Sequence, residues 1–310
     1  MYATASVGVA IAPDAGDVGD VLREADTAMY AAKEQGRDRV SMFNEDLRTA
    51  VTTRLEVETE LRHALARGQL SVWYQPEVDL RTGAVVAVEA LTRWNHPDGH
   101  VWTADRFIDV AEDTGLILDI GDWVLRQGCE QAAAWATTRP DRPITVRVNL
   151  SALQLTEGGL LDVLDQALST SGLDPTLLCI ELTETSLLRE TGIARENLEG
   201  IHARGVALAL DDFGTGFASL TYLSRYHFDV VKIDRAFIAN VGSADQDRPL
   251  VAGIIALATT LGIAVTAEGV EQPEQAAYLR AMGCPSAQGW LYSGAVPANQ
   301  MAALLDHVYR

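Results

Sequence analysis

The sequence predicts an α/β fold, a (β/α)8 barrel entered through a β-hairpin, and three observations predict it. From Leu70 onward, short apolar and β-branched runs alternate with helix-like stretches, the order of strands wrapped by helices. There are eight such runs, enough to close a barrel. Most end in a side chain able to do chemistry: Glu89 in VVAVEAL, Asn149 in ITVRVNLS, Glu181 in LLCIELTE, Asp211 and Asp212 in VALALDDFG, Lys232 in VVKID and Glu268 in AVTAEGV. Polar groups gathered at one strand end mark the C-terminal face of a barrel as the site.

The elements follow in order. Residues 1 to about 44 read as a strand (ATASVGVAIA), a Gly/Asp/Pro loop, a helix from Val18 to Glu34, a stop at Gly36 and a strand from Arg39 to Phe43. A βαβ piece of this size closes no core alone. Val57, Leu61, Ala64 and Leu65 then recur at helical spacing up to Gly68, so 45–67 is a connecting helix. SVWYQPEVDL and AVVAVEALTRW, joined at Thr82-Gly83, form a hairpin signature, which sets the first barrel strand antiparallel to the second. Helices are expected at 104–113 and 118–137, a strand at 144–150, a helix at 157–170, a strand at 177–183 and a helix at 190–204. Strands at 206–211, 229–234 and 263–268 come next, then a last strand at 286–292 and a helix at 297–309. The barrel occupies 68–310.

A chain of 310 residues, 48% hydrophobic, fits one barrel of about 250 residues with a smaller appendage. The formal net charge of −19 disfavours long nucleic acid, whose phosphates select basic stripes. Cys129, Cys179 and Cys284 show no paired spacing, which suits a reducing cytoplasm and core positions. The uncharged run from Leu250 to Ala267 approaches the length of a membrane span, but Thr259, Thr260 and Leu261-Gly262 divide it into a buried helix and a strand. No membrane span is expected within the chain.

Taken singly, each strand-end charge would suit a helix cap or a salt bridge; it is their recurrence that argues for one shared site. Acidic groups converging at a mouth need a counter-charge, and Glu, Asp and Asn oxygens without His or Cys fit Mg²⁺ or Mn²⁺ better than zinc. The histidines His63, His96, His100, His202, His227 and His307 form no metal-spaced pair. Adjacent aspartates let one carboxylate bridge two ions, an arrangement that activates water for in-line attack on a phosphodiester. A nearby buried lysine can hold that water and balance charge.

EALTRW (89–94), VNLSALQL (148–155), ELTET (181–185), DDFGTGFASL (211–220), VKID (231–234), AEGVE (267–271) and QGW (288–290) resemble, in order, the motifs of the EAL-domain family of cyclic di-GMP phosphodiesterases. The resemblance implies a TIM-like (β/α)8 barrel with a reversed first strand, hydrolysing cyclic di-GMP to linear pGpG with two Mg²⁺ or Mn²⁺ ions. It implies that Glu89, Asn149, Glu181 and Asp211 hold the first metal and that Asp211, Asp212 and Glu268 serve the second. Lys232 would orient the attacking water, with Glu268 a ligand or general base. Gln75, Arg93, Asp234 and Gln288 would contact substrate, Arg93 through phosphate. Glu184 and the loop Phe213-Gly214-Thr215-Gly216 resemble the family's coupling loop, and Glu271 would support the site from behind. One departure is LYSGAVP, where Gly294 replaces a basic residue at the barrel's rim.

Residues 1–44 resemble the C-terminal end of a GGDEF diguanylate cyclase domain, through SVGVAIAPDAG and ADTAMYAAKEQGRDRV, without that family's signature loop. A cytoplasmic piece of a longer tandem GGDEF-EAL protein is therefore expected, from a parent that could be membrane-anchored upstream, with the barrel acting as a homodimer. The alternative function is a catalytically silent EAL module that binds cyclic di-GMP or a protein partner as a sensor. All seven metal and catalytic positions carry competent side chains.

Overall fold

The computed structural model describes residues 4–12, 17–34, 38–188, 192–214, 219–241 and 248–309. They divide into two units, with the boundary between Arg67 and Gly68.

In the first unit, β1 (Val7–Val9) and β2 (Val40–Met42) pair in parallel, Val7 opposite Val40. The crossover is the helix Val18–Glu34, which buries Ala28, Ala31 and Ala32. It lies so close to β1 that a Cβ on Gly8 would sit 2.0 Å from the Ala25 carbonyl oxygen, so only glycine fits there. The helix Glu45–Ala64 follows, its first turn capped by Asn44, whose side chain accepts from the Leu47 amide at 2.7 Å.

The second unit is the barrel. Its strands are β3 (Leu70–Asp79), β4 (Val85–Asn95), β5 (Val101–Thr103), β6 (Thr145–Asn149), β7 (Leu178–Thr183), β8 (Ala207–Phe213), β9 (Val230–Ile233), β10 (Ala264–Ala267), β11 (Ser286–Gln288) and β12 (Val296–Pro297). Around the barrel the order is β3, β11, β10, β9, β8, β7, β6, β4, closed by β4 pairing with β3. Strand β3 is antiparallel to both neighbours, whereas β4 and β6 to β11 run parallel. The hairpin turns at Gly83, whose φ of +76° and amide bond to the Asp79 carbonyl need a residue free to adopt the left-handed region. Two short strands absent from the sequence reading extend the sheet: β5 beside β4 and β12 beside β3.

Helices cover the outside. The longest, Leu116–Thr138, turns Ile117, Ile120, Val124, Leu125, Cys129, Ala132 and Trp135 inward. The expected helix over 157–170 is two, Ala152–Leu155 and Leu160–Ser171, because Ser151 caps the first as a capping box and Gly158-Gly159 interrupts before the second. The expected strand 286–292 stops at Gln288, where Gly289 passes against the Val270 backbone. The last helix spans Ala298–Leu304 rather than 297–309. The uncharged run resolves into the helix Arg248–Leu261 and β10, and no helix among the described residues is long and apolar enough to cross a membrane. All three cysteines are buried and free.

Candidate active site

Strand alternation stacks the barrel interior in rows. Side chains two apart share a face, so Asn149, Glu181, Asp211, Lys232, Glu268 and Gln288 stand one row above Arg147, Cys179, Ala209, Val230, Thr266 and Ser286. On the reversed β3 the order inverts, and Gln75, opposite Glu89, stands above Glu77.

Lys232 is the centre of the upper row. Its Nζ lies 2.6 Å from Glu268 Oε1, 2.9 Å from Glu181 Oε2, and 3.4 Å from both Glu89 Oε2 and Asp211 Oδ2. The side chain is wholly buried. Burial works against its charge, but Asp211, Glu181, Glu268 and Glu89 together hold its pKa well above the usual lysine range.

Glu89 is held from two more sides: Asn149 Nδ2 donates to its Oε1 at 2.8 Å and Gln288 Nε2 to its Oε2 at 2.6 Å. Burial raises its pKa, yet Lys232, Gln288 and Asn149 bring it below the ordinary glutamate value. An amide that donates through nitrogen, as Asn149 does, keeps its oxygen for a cation. Strand β4 runs on past Glu89 to Asn95 because β3 and β5 continue to pair with it, while its pairing with β6 ends at Ala90.

Asp211 and Asp212 would face opposite ways on a regular strand. Here the β8–β9 register shifts between Leu210 and Phe213, and Asp212 adopts a φ of +55°. Aspartate is one of the few side chains that tolerates this conformation. The bulge brings Asp211, Asp212 and Glu268 together, with one carboxylate oxygen of each within 4.8 Å of the others. Burial, then Asp211 and Asp234, push Asp212 up to about 6. Burial raises Glu268 to about 8 against the pull of Lys232, with Asp211 and Glu89 adding to the rise. Burial also lifts Glu181 well above its usual value.

These groups fit a pair of divalent cations. Five carboxylates face one ammonium, and burial first, then repulsion from neighbouring carboxylates, raises the Glu268, Asp212 and Glu181 carboxyls. The donors are all oxygen, the set that suits Mg²⁺ or Mn²⁺.

The remaining predicted residues divide. Gln75 joins the cluster, accepting from Gln288 Nε2 at 3.2 Å and donating to the Ser293 carbonyl at 3.1 Å. Arg93 stands at the rim of β4, donating to the Thr92 carbonyl and lying 5.7 Å over the Trp73 ring. Asp234 caps the helix Arg235–Ile238 by accepting from the Ala236 amide at 2.9 Å, and it also faces Asp212. The buried Glu184 carboxylate accepts from the Gly214 amide at 2.8 Å, tying the end of β7 to the loop after β8, next to buried Phe213. Thr215 and Gly216 lie outside the described residues. Glu271 is exposed, and among the described residues no hydrogen bond or ion pair joins its carboxylate to the cluster; its backbone amide donates to Gln275 Oε1.

Sequence reasoning missed the lower row. Arg147 donates to Glu77 through Nε at 2.6 Å and Nη2 at 3.2 Å, and its Nη1 lies 3.2 Å from Cys179 Sγ. Thr266 and Ser286 hydroxyls donate to Glu77 Oε1 at 2.9 and 2.5 Å. Arg147 Nε is also 3.8 Å from Glu181 Oε1, an oxygen with no hydrogen-bond partner among the described residues. The available signal was positional: Glu77 stands two residues from Gln75, and Arg147 two from Asn149, inside apolar runs.

The EAL domain family matches residues 58–295, and the diguanylate cyclase GGDEF domain family matches residues 1–39. The bifunctional diguanylate cyclase/cyclic di-GMP phosphodiesterase MucR of Pseudomonas aeruginosa is 40% identical over 301 residues, covering 97% of this chain and 44% of MucR. The cyclic di-GMP phosphodiesterase NbdA of the same organism is 39% identical over 306 residues, covering 98% of this chain and 39% of NbdA. The chain thus spans less than half the length of either relative. A solved structure of the PaMucR phosphodiesterase in complex with c-di-GMP is 41% identical and superposes with a TM-score of 0.75, covering 79% of this chain and 99% of that one.

Proposed function

This chain belongs to the EAL domain family, and from that premise we propose that its barrel hydrolyses cyclic di-GMP to linear pGpG. The observation that carries the reading is the buried Lys232 ammonium within 3.4 Å of four carboxylates at the barrel mouth. Named relatives that act on cyclic di-GMP, at 39–40% identity over nearly the whole chain, support the substrate.

Glu89, Asn149, Glu181 and Asp211 would hold one Mg²⁺ or Mn²⁺, and Asp211, Asp212 and Glu268 the other. Bound divalent ions supply charge neutralisation at phosphate and a water acidic enough to attack at neutral pH. The protein's own residues do the rest. Lys232 donates to the attacking water and fixes its lone pair toward phosphorus. Glu268, 2.6 Å from Lys232, is either a ligand of the second ion or the base that takes the water proton. Attack breaks one P–O3′ bond, and the proton given up by the water ends on the departing 3′-oxygen, leaving a 3′-hydroxyl and a 5′-phosphate on the linear dinucleotide. Gln288 and Asn149 hold Glu89 in place. Arg93 at the rim contacts the substrate through phosphate, and Gln75 and Asp234 contact it at the mouth.

In this reading residues 1–44 contribute no cyclase chemistry, 45–67 link, and 68–310 carry the activity, as a cytoplasmic homodimer joined through the barrel. The test is to incubate purified protein with cyclic di-GMP and Mg²⁺ and to separate the products. Appearance of pGpG is expected; intact cyclic di-GMP bound without turnover would instead identify a sensor.

A further inference from the structure

At the opposite end of the barrel from the mouth, three side chains of types that ligate metals meet from two segments. His202 lies in the last turn of the helix Gly192–Ala203, His227 in the loop leading into β9, and Asp229 immediately before that strand. One donor atom from each lies within 4.8 Å of the other two. The imidazole centroids are 4.5 Å apart, and His227 Nε2 is 3.7 Å from Asp229 Oδ1. The cluster sits where β8 and β9 begin, whereas Asp211 and Lys232 stand toward their far ends. It therefore shares no residue with the catalytic row.

The carboxylate is fixed from behind. Asp229 Oδ2 accepts from the Leu208 amide at 2.9 Å, the Asp229 amide donates to the Leu208 carbonyl at 2.9 Å, and the Asp229 carbonyl accepts from the Ala264 amide at 2.9 Å. Asp229 is thus pinned between β8 and β10, with Oδ1 turned toward His227. Metal-ligating carboxylates are oriented by such outer hydrogen bonds. Both imidazoles are exposed, so they can rotate onto an ion without losing core packing.

We infer that His202, His227 and Asp229 form a second metal site, one that takes Zn²⁺. Two imidazole nitrogens and one carboxylate oxygen are a borderline-soft donor set, which prefers zinc to Mg²⁺ and leaves one tetrahedral position for water. The mouth, all oxygen, has the opposite preference. A zinc ion here clips the end of the helix Gly192–Ala203 to the start of β9, and so stabilises the folded barrel by mass action.

The experiment uses the full chain in excess Mg²⁺ throughout, titrating Zn²⁺ against a chromophoric chelator. Wild type is expected to take up a zinc that the His202→Ala/His227→Ala double variant lacks, with each single variant at least about tenfold weaker. Asp211→Asn is expected to retain that zinc. Zinc should raise the melting temperature of wild type and not of the double variant. Without any substitution, the ring-nitrogen NMR signals of His202 and His227 should move together as zinc is added. Undiminished zinc uptake by the double variant, loss of the zinc in Asp211→Asn alone, or ring signals that stay still would each overturn the site.

Discussion

Glu77 and Arg147 form a two-pronged ion pair inside the barrel, one row beneath the carboxylate cluster, with contacts of 2.6 and 3.2 Å. Both side chains are buried, and Thr266 and Ser286 complete the acceptor needs of the glutamate. Breaking such a pair strands a charge in the interior. Arg147→Ala is expected to destabilise the barrel by roughly 3–5 kcal/mol, whereas replacing both partners, Glu77→Leu with Arg147→Met, should recover most of the loss. Urea unfolding of the three proteins measures it.

The same pair makes stability depend on pH. Burial raises the Glu77 pKa, but Arg147, Ser286 and Thr266 outweigh it and hold the carboxyl below its ordinary 4.5. A depressed folded value means the stabilisation is present above the unfolded pKa and is lost as pH falls through the folded one. The stability gap between wild type and Glu77→Gln should therefore be full near neutral pH and shrink as the pH falls below the ordinary glutamate value of 4.5. Unfolding midpoints across that range test the sign.

On the proposed two-ion reading, removing Glu89 or Asp211 should abolish hydrolysis. Glu89→Ala and Asp211→Ala each take away an oxygen that neighbouring side chains cannot replace, and turnover should fall by more than about 100-fold, beyond the usual loss from outer-shell changes. Near-wild-type turnover in both variants would end the two-ion assignment.

Lys232→Ala should lower kcat far more than it weakens substrate binding, by about 10²-fold or more, because a group that positions water acts on the transition state. Paired binding titrations and kinetics separate the effects. Collapse of binding with turnover at saturation preserved would make Lys232 a substrate clamp.

Gly214 has a φ of +99°, and a Cβ there would sit 2.9 Å from the Phe237 ring. Gly214→Ala should cost roughly 1–3 kcal/mol through strain and contact, and should loosen the Glu184 link. Glu184→Gln keeps an acceptor oxygen for the Gly214 amide, so it should retain more activity than Glu184→Ala. Kinetics on the three variants give the order.

Much of this architecture was legible because it is local. Thr82-Gly83 between two alternating runs announces the hairpin, and the polar strand ends from Glu89 to Glu268 announce the mouth in chain order. What escaped depends on partners distant in sequence. The sequence names Asp212 beside Asp211 but not how it reaches the mouth, since alternation by itself turns it away and only the register shift against β9 turns it back. The short β5 exists because Trp102 stacks on His96 at 3.8 Å and meets Trp94 edge-on. Glu77 and Arg147 each look like an isolated charge in an apolar run, and His202 and His227 gain meaning only when β8 and β9 lie side by side.

The bulge at Asp212 also bears on how this protein can drift. Deleting one residue between Leu210 and Phe213 would restore a regular ladder with β9 and leave Phe213 opposite Ile233, but the residue lost would be Asp211 or Asp212. The strand would come out more regular and the mouth one carboxylate poorer. Regular pairing and a full set of acidic groups thus exclude one another at this point of the strand, and a relative whose β8 has shed the extra residue carries the mark of a depleted mouth in its sequence length alone.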